Sequence, residues 1–198
     1  MDLTADGRLD LVFFYDECDG AAVGRDYWKV HRGTPAGFDD TPAEYALPGG
    51  FDTCNSGAPF WGLGGTWVTC SGATNYYRHG VWDVGADGYP DLVVYKDECA
   101  DPAAGSDHWR VYPGGDVGFS SYPVEWSLPD GYDDYNGGTP FWGTGGALAT
   151  CSDSISDYSY GVWDATADGL ADLVMFRDDC DDADIGRACW EVYPGTCG

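Results

Sequence analysis

The feature that most constrains the fold of this chain is an acidic loop that occurs three times at one fixed interval. Its copies read DLTADGRLDL from Asp2, DVGADGYPDL from Asp83 and DATADGLADL from Asp164, so each copy begins 81 residues after the previous one. A segment that recurs at a constant interval is the sequence signature of repeated structural units. We therefore expect similar units that bury their apolar surfaces against one another.

The repeat extends beyond the acidic loop and divides the chain. We predict one tandem array over residues 1–198, with repeat 1 at residues 2–82, repeat 2 at residues 83–163 and a partial repeat 3 at residues 164–198. The first unit is expected to lack its first strand and the last unit its fourth, which leaves two sheet edges unpaired. The residues in register include Trp28, Trp109 and Trp190; Gly33, Gly114 and Gly195; and Cys18, Cys99 and Cys180.

Composition and patterning indicate an all-β fold. Hydrophobic residues make up 43% of the 198 positions, which is enough for a sizeable core. The 30 glycines and 11 prolines favour short strands and many turns over helices. Each unit is expected to contain four antiparallel strands, because four segments of the second unit have strand patterns. These segments are NYYRHGVWD, DLVVYKDE, DHWRVYPGG and SYPVEWSLP, at residues 75–83, 91–98, 107–115 and 121–129.

A Gly-rich stretch separates the acidic loops of successive units, at residues 49–69 and 130–150. It is interpreted as a long inter-repeat loop fixed by packing of its Phe-Trp pair. The alternative is a ligand-binding surface, since closely spaced glycines allow either backbone packing or ligand approach.

The net charge argues against two classes of partner. The chain carries 34 Asp and Glu residues against nine Lys and Arg, a formal net charge of −25. A surface of this sign repels phosphate groups, so neither nucleic acid nor anionic membrane is an expected partner, whereas cations are. No apolar segment approaches the roughly 18 residues of a transmembrane helix, and membrane insertion is not expected.

Each acidic loop has the composition of a calcium site. Numbered from its first aspartate, it carries carboxylates at positions 1, 5 and 9 and glycine at position 6. Neighbouring carboxylates repel one another unless a cation neutralises them, and calcium takes about six to eight oxygen ligands in flexible geometry. An EF-hand would need Glu at position 12, where the chain has Phe13, Val94 and Met175. The alternative is an Asp-Gly turn closed by local hydrogen bonds.

Three calcium sites are therefore predicted, one in each loop. The second is expected to be the weakest because Gly85 at position 3 has no side-chain oxygen, and Asp101, outside the loops, is expected to be solvated. The candidate ligands are Asp2, Thr4, Asp6, the carbonyl of Arg8 and Asp10; Asp83, the Gly85 position, Asp87, the carbonyl of Tyr89 and Asp91; and Asp164, Thr166, Asp168, the carbonyl of Leu170 and Asp172.

The segments DLTADGRLDLV, DVGADGYPDLV and DATADGLADLV resemble the calcium loop D-x-N-x-D-G-x-x-D-L-V of FG-GAP and VCBS repeats, which occurs in the β-propellers of integrin α-subunits and of several lectins. The resemblance implies four-stranded propeller-type blades with calcium between the first two strands. The 81-residue period, the Gly-rich insertion and the cysteines depart from that pattern. The units are expected to form either an open array or part of a larger propeller.

The eight cysteines indicate disulfides and an extracellular, secreted protein, since none is arranged as CxxC or as a metal finger. Repeat symmetry allows two pairing schemes. The first links Cys70 with Cys99, Cys151 with Cys180, Cys18 with Cys54, and Cys189 with Cys197. The second links Cys18 with Cys70 and Cys99 with Cys151.

An enzyme is not predicted, because the three histidines, His31, His79 and His108, belong to no catalytic motif. The predicted function is that of an extracellular, calcium-stabilised structural or adhesive protein that self-associates end to end into a filament. The alternative is a lectin-like module of a larger propeller that binds carbohydrate or another cell-surface ligand through its nine tryptophans and 14 tyrosines.

Overall fold

The computed structural model describes residues 1–15, 22–49, 60, 65–70, 73–97, 100–129, 147–151, 154–178, 185 and 189–195, and gives only the backbone for 65–70, 73–77, 147–151, 154–158 and 177–178. Over this part of the chain the protein is all-β, as predicted. No helix occurs there, and hence no helix that could cross a membrane.

The strands form three antiparallel sheets and one short hairpin, and over the described ranges the sheets do not close into a barrel or ring. The first sheet has the order β1 (Leu11–Phe13), β2 (Tyr27–His31) and β5 (Ala43–Ala46), with the hairpin β3 (Gly33–Thr34) and β4 (Gly37–Phe38) beside it. The central sheet has the order β6 (Gly65–Cys70), β7 (Ala73–Trp82), β8 (Asp91–Asp97), β9 (His108–Tyr112) and β10 (Val124–Ser127). The third has the order β11 (Ala147–Cys151), β12 (Ser154–Trp163), β13 (Asp172–Asp178) and β14 (Glu191–Tyr193).

The central sheet contains the four predicted strands, β7 to β10, and a fifth that was missed. The prediction of four strands is therefore wrong for this sheet, because β6 lies in the Gly-rich stretch that was interpreted as a loop. Strand β11 lies in the corresponding stretch of the next unit. Most of the rest of both stretches, residues 50–59, 61–64 and 130–146, lies outside the described residues.

Corresponding strands of the central and third sheets have the same irregularity. Strands β7 and β12 each shift register once against their partners, between Arg78 and His79 and between Ser159 and Tyr160. The two shifts are 81 residues apart, as are the first residues of β8 and β13. A β-bulge bends its strand and increases the local twist, so both sheets bend at the same point.

The three sheets stack face to face, with the central sheet between the other two. Leu92 of β8 lies in an apolar core with Trp28 of β2, whereas the next residue, Val93, lies in a second core with Met175 of β13. All seven residues of β8 are buried. A strand covered on both faces is expected to be a continuous apolar run rather than an alternating one, and DLVVY has that pattern.

A turn of the central unit locks that unit to the first sheet. The ring of Phe119 packs edge-on against Trp28 and Tyr45, with centroids 5.5 and 5.1 Å apart. Its backbone N–H donates to the carbonyl of Ala46 at 2.9 Å. Gly118, with φ at +149°, lies so close that a Cβ there would be 2.6 Å from Ala46. Aromatic pairs of this geometry contribute about 0.5–1.5 kcal/mol beyond the burial of their surface.

Candidate metal centre

All three acidic loops adopt one conformation, which the first aspartate organises. In the second loop the carboxylate of Asp83 accepts the backbone N–H groups of Asp87 at 3.1 Å and Gly88 at 3.0 Å. Gly88 has φ at +93°, which L side chains rarely adopt. The equivalent bonds are made to Asp2 by Asp6 and Gly7, and to Asp164 by Asp168 and Gly169.

Position 4 of each loop is an alanine in the left-handed region, with φ at 54°, 54° and 59° for Ala5, Ala86 and Ala167. This conformation costs a residue with a Cβ roughly 1–2 kcal/mol. The next residue compensates in part, since the Oδ1 of Asp87 accepts the N–H of Tyr89 at 2.9 Å. The left-handed alanine occurs in all three loops. The strain therefore comes from the tight turn itself and not from contact with one particular neighbouring residue.

The aspartate at position 9 ties each loop to the sheet beneath it. Asp91 is only 2% exposed. Its Oδ2 accepts the N–H groups of Val84 at 3.0 Å and Gly85 at 3.1 Å, and its Oδ1 accepts that of Gly114 at 2.9 Å. The equivalent donors are Leu3 and Gly33 for Asp10, and Ala165, Thr166 and Gly195 for Asp172.

The glycine whose N–H donates to each position 9 aspartate is required because there is no room for a side chain at that point. A Cβ on Gly114 would overlap the carbonyl oxygen of Pro90, and one on Gly33 or Gly195 would overlap Leu9 or Ala171 in the same way. The sequence analysis placed these glycines in register but gave them no role. Their recurrence at one position was the signal that a backbone group approaches closely there.

The pKa values of two of the position 9 carboxyls shift in opposite directions. Burial is the largest influence on Asp91 and raises its pKa above the ordinary value, although the N–H groups of Gly114, Gly85 and Val84 oppose it. Burial also acts against the charged form of Asp172, but there the N–H groups together outweigh it and lower the pKa. Both carboxylates therefore depend on backbone donors to remain charged.

The structure separates the predicted ligands into two groups. The position 5 carboxylates lie exposed in every loop, and those at position 1 are exposed in the second and third loops and half-buried in the first, whereas the position 9 carboxylates are buried. Thr4 at position 3 turns its hydroxyl toward Asp10, with Oγ1 3.4 Å from Oδ2. Over the described ranges no three His, Cys, Asp or Glu side chains form a ready metal-binding group.

The donor chemistry of the exposed group still fits a hard cation. Positions 1 and 5 offer carboxylate oxygens only, and a carboxylate has about four lone-pair sites, of which Asp83 uses two and Asp87 one for backbone amides. The first loop differs, because the Arg8 guanidinium lies 3.3 Å from Asp6 Oδ2 and competes with a cation there.

The three loops lie side by side along one edge of the stack. Ala5 of the first loop lies next to Gly88 of the second, 3.9 Å from where a Cβ would be. The second and third loops line a common cavity of about 260 Å³, which Asp83, Asp164 and Gly169 border. The edge therefore concentrates exposed carboxylates from all three units.

A second, apolar cavity of about 350 Å³ lies between the central and third sheets. Trp109, Trp126 and Leu128 line one side, and Leu173 and Tyr193 the other. These positions correspond to the ones that surround Phe119 between the first and central sheets. The cavity is therefore lined like the slot between the first and central sheets, which holds the ring of Phe119.

One further prediction is corrected by the structure, and another falls outside the described residues. Asp101 is not fully solvated as expected, because the turn after β8 brings its Oδ2 to 2.9 Å from His108 Nε2 and leaves its side chain only 22% exposed. The predicted disulfides cannot be placed, since Cys18, Cys54, Cys99, Cys180 and Cys197 lie outside the described residues and the side chains of Cys70 and Cys151 are not described.

Comparison of the chain with known proteins gives no matching family model, no similar curated protein and no similar solved structure. The resemblance to FG-GAP and VCBS repeats therefore rests on the acidic loops and their flanking strands.

Proposed function

We propose that this chain is a non-enzymatic, extracellular repeat protein with a structural or adhesive role, stabilised by calcium and able to assemble end to end. Its units are propeller-type blades of the FG-GAP and VCBS kind, arranged with an 81-residue period as an open array or as part of a propeller. The observation that carries the proposal is the row of three acidic loops of one conformation along one edge of three stacked sheets.

Calcium would be held at the exposed carboxylates of positions 1 and 5, with oxygens of positions 3, 7 and 9 as further donors. The bound ion would supply positive charge where the loops concentrate negative charge. Asp83 and Asp87 order the loop through backbone amides, and Asp91 holds it against the sheet. Ion binding at the loop edge would therefore stabilise the strands that flank it.

Calcium titration of thermal unfolding tests the proposal. Extracellular calcium modules bind with Kd of about 10⁻⁴–10⁻³ M, so about 2 mM calcium contributes roughly 0.6–1.8 kcal/mol for each site. For a chain of this size, that corresponds to a rise in Tm of about 2–4 °C for each kcal/mol. Addition of EGTA should reverse the rise.

A matched pair of variants separates site binding from general screening of the net charge. The triple variant Asp6→Asn, Asp87→Asn, Asp168→Asn should lose the calcium-dependent rise in Tm. The triple variant Asp39→Asn, Asp40→Asn, Glu44→Gln also removes three charges, from exposed residues outside the loops, and should retain it. An equal calcium response in both proteins, or a wild-type Tm that EGTA does not change, would contradict the proposal.

One observation favours carbohydrate binding as a second candidate function. The 350 Å³ cavity offers Trp126 and Tyr193 as stacking surfaces, with Glu125 at its border. Binding to a panel of oligosaccharides that is lost in Trp126→Ala would support this function. The slot with the corresponding lining, between the first and central sheets, holds the side chain of Phe119. This favours packing of a protein side chain over sugar binding in the 350 Å³ cavity.

A further inference from the structure

Every sheet in this protein has two apolar faces that differ in composition. We call the face that carries Trp28, Trp109 or Trp190 the tail face of its sheet, and the opposite face the head face. In both internal contacts the tail face of one sheet meets the head face of the next. The tail faces carry Trp28, Val30 and Phe14; Trp109, Val111 and Tyr95; and Trp190, Val192 and Phe176. The head faces carry Leu11, Phe13 and Phe38; Leu92, Val94 and Phe119; and Leu173 and Met175.

The tail face of the third sheet is exposed. Trp190 is 62% exposed, whereas its counterpart Trp109 in the central sheet is 3% exposed. Val192 and Trp163 are exposed beside it. Trp190 and Val192 therefore present to solvent side chains that the other two sheets bury against a neighbour, whereas Val174 on the same face is itself buried.

This exposed face is already arranged like a buried one. Trp163 and Phe176 have ring centroids 6.3 Å apart and planes inclined at 36°. The corresponding Trp82 and Tyr95, which pack in the core shared with the third sheet, are 5.9 Å apart and inclined at 34°. A preorganised surface loses little conformational freedom when it binds.

The head face of the first sheet is exposed at the other end of the stack. Phe38 is 51% exposed, whereas its counterpart Phe119 is 5% exposed. Leu11 and Phe13 are exposed on the same sheet. The hairpin β3–β4 already presents Phe38 behind Gly37 at φ +135°, close to the +149° of Gly118 ahead of Phe119.

We infer that the tail face of the third sheet binds the head face of the first sheet in a second copy of this chain. The contact repeats, between molecules, the one that the molecule makes twice within itself. Because it joins two different faces, it is heterologous and adds copies in one direction. The inference rests on the proposed end-to-end assembly and assigns it to apolar faces rather than to strand edges.

The contact should be sensitive to salt. Each chain carries a net charge of −25. Repulsion between such chains falls with ionic strength, so association should strengthen with added salt.

Sedimentation velocity of the whole chain, from micromolar to near-millimolar concentration in millimolar calcium, tests the inference. The wild type should show species that grow with concentration beyond dimer. Trp190→Glu, on the tail face, and Phe13→Glu, on the head face, should each weaken association at least tenfold. Tyr122→Glu alters an exposed aromatic outside both faces and should associate like the wild type.

Mixing the two deficient variants makes the test specific. Trp190→Glu retains an intact head face and Phe13→Glu an intact tail face, so the mixture should form one-to-one dimers that do not extend. Monomers at all concentrations, association that survives both substitutions, loss in only one variant, or no dimer in the mixture would each overturn the inference. The calcium-dependent rise in Tm, measured on the same variants, should be unchanged. If neither the wild type nor the variants show the rise while the wild type still associates, the calcium proposal is rejected and the inference stands.

Discussion

Replacement of Asp91 by Asn should destabilise the protein even without calcium, because this carboxylate holds the second loop to the sheet. Asn keeps one acceptor oxygen, which in the better orientation serves Val84 and Gly85. Its amide group then faces the Gly114 N–H, so a donor opposes a donor where a 2.9 Å hydrogen bond stood.

The size of the effect follows from three buried bonds. Loss of one hydrogen bond to a charged group costs about 1.5–3 kcal/mol, and two others weaken when their acceptor becomes neutral. Relief of the buried charge, whose cost is visible in the raised pKa of Asp91, offsets part of this. We expect a net loss of about 2–4 kcal/mol, or a Tm lower by roughly 4–16 °C.

Urea unfolding in EGTA, followed by tryptophan fluorescence, measures this loss. Asp87→Asn is the control, because it removes the same charge from an exposed side chain that accepts one backbone N–H. Without calcium the control should change the free energy of unfolding by no more than about 0.5 kcal/mol. Equal effects of the two substitutions in EGTA would refute the role of Asp91 in holding the second loop to the sheet.

Two further predictions concern backbone strain and a buried phenol. Ala86→Gly should raise the free energy of unfolding in EGTA by about 0.5–1 kcal/mol, because glycine relieves the left-handed strain; Ala36→Gly, where φ is not positive, should lower it instead. Burial, opposed by the Gly115 backbone, raises the pKa of Tyr45 to about 12. The folded protein thus holds this proton more tightly than the unfolded chain, whose tyrosine pKa is about 10, so the stability is complete below pH 10 and declines as pH rises toward 12. At pH 11 the loss is about 1.4 kcal/mol, and Tyr45→Phe should show an alkaline decline smaller by that amount in urea titrations.

The sequence was sufficient for the fold class and for strands whose patterns are regular. Strands β7 to β10 combine β-branched and aromatic residues with turn residues at their ends, so their position could be predicted. Strand β6 was missed because GTWVTC follows a Gly-rich run that by itself favours a loop. The stacking of sheets depends on contacts between distant residues, which no local pattern contains.

The roles of individual aspartates were harder to predict than the loops themselves. A nine-residue turn has no periodicity that tells a buried position from an exposed one, so Asp91 and Asp87 looked alike in the sequence. Asp101 was misjudged for the same reason, since the turn that returns it to His108 is defined by tertiary structure. The recurrence of Gly33, Gly114 and Gly195 was the one sign in the sequence of the contact between the position 9 aspartate and the sheet.

The stacking of three sheets gives the molecule a one-dimensional folding cooperativity. The central sheet has a neighbour on each side, whereas the first and third have one each. In such an array the stability of a unit is the sum of its own contribution and its nearest-neighbour interfaces. Local opening therefore begins at the outer sheets, and the amides of β8, buried on both faces, exchange with solvent only when the whole stack comes apart.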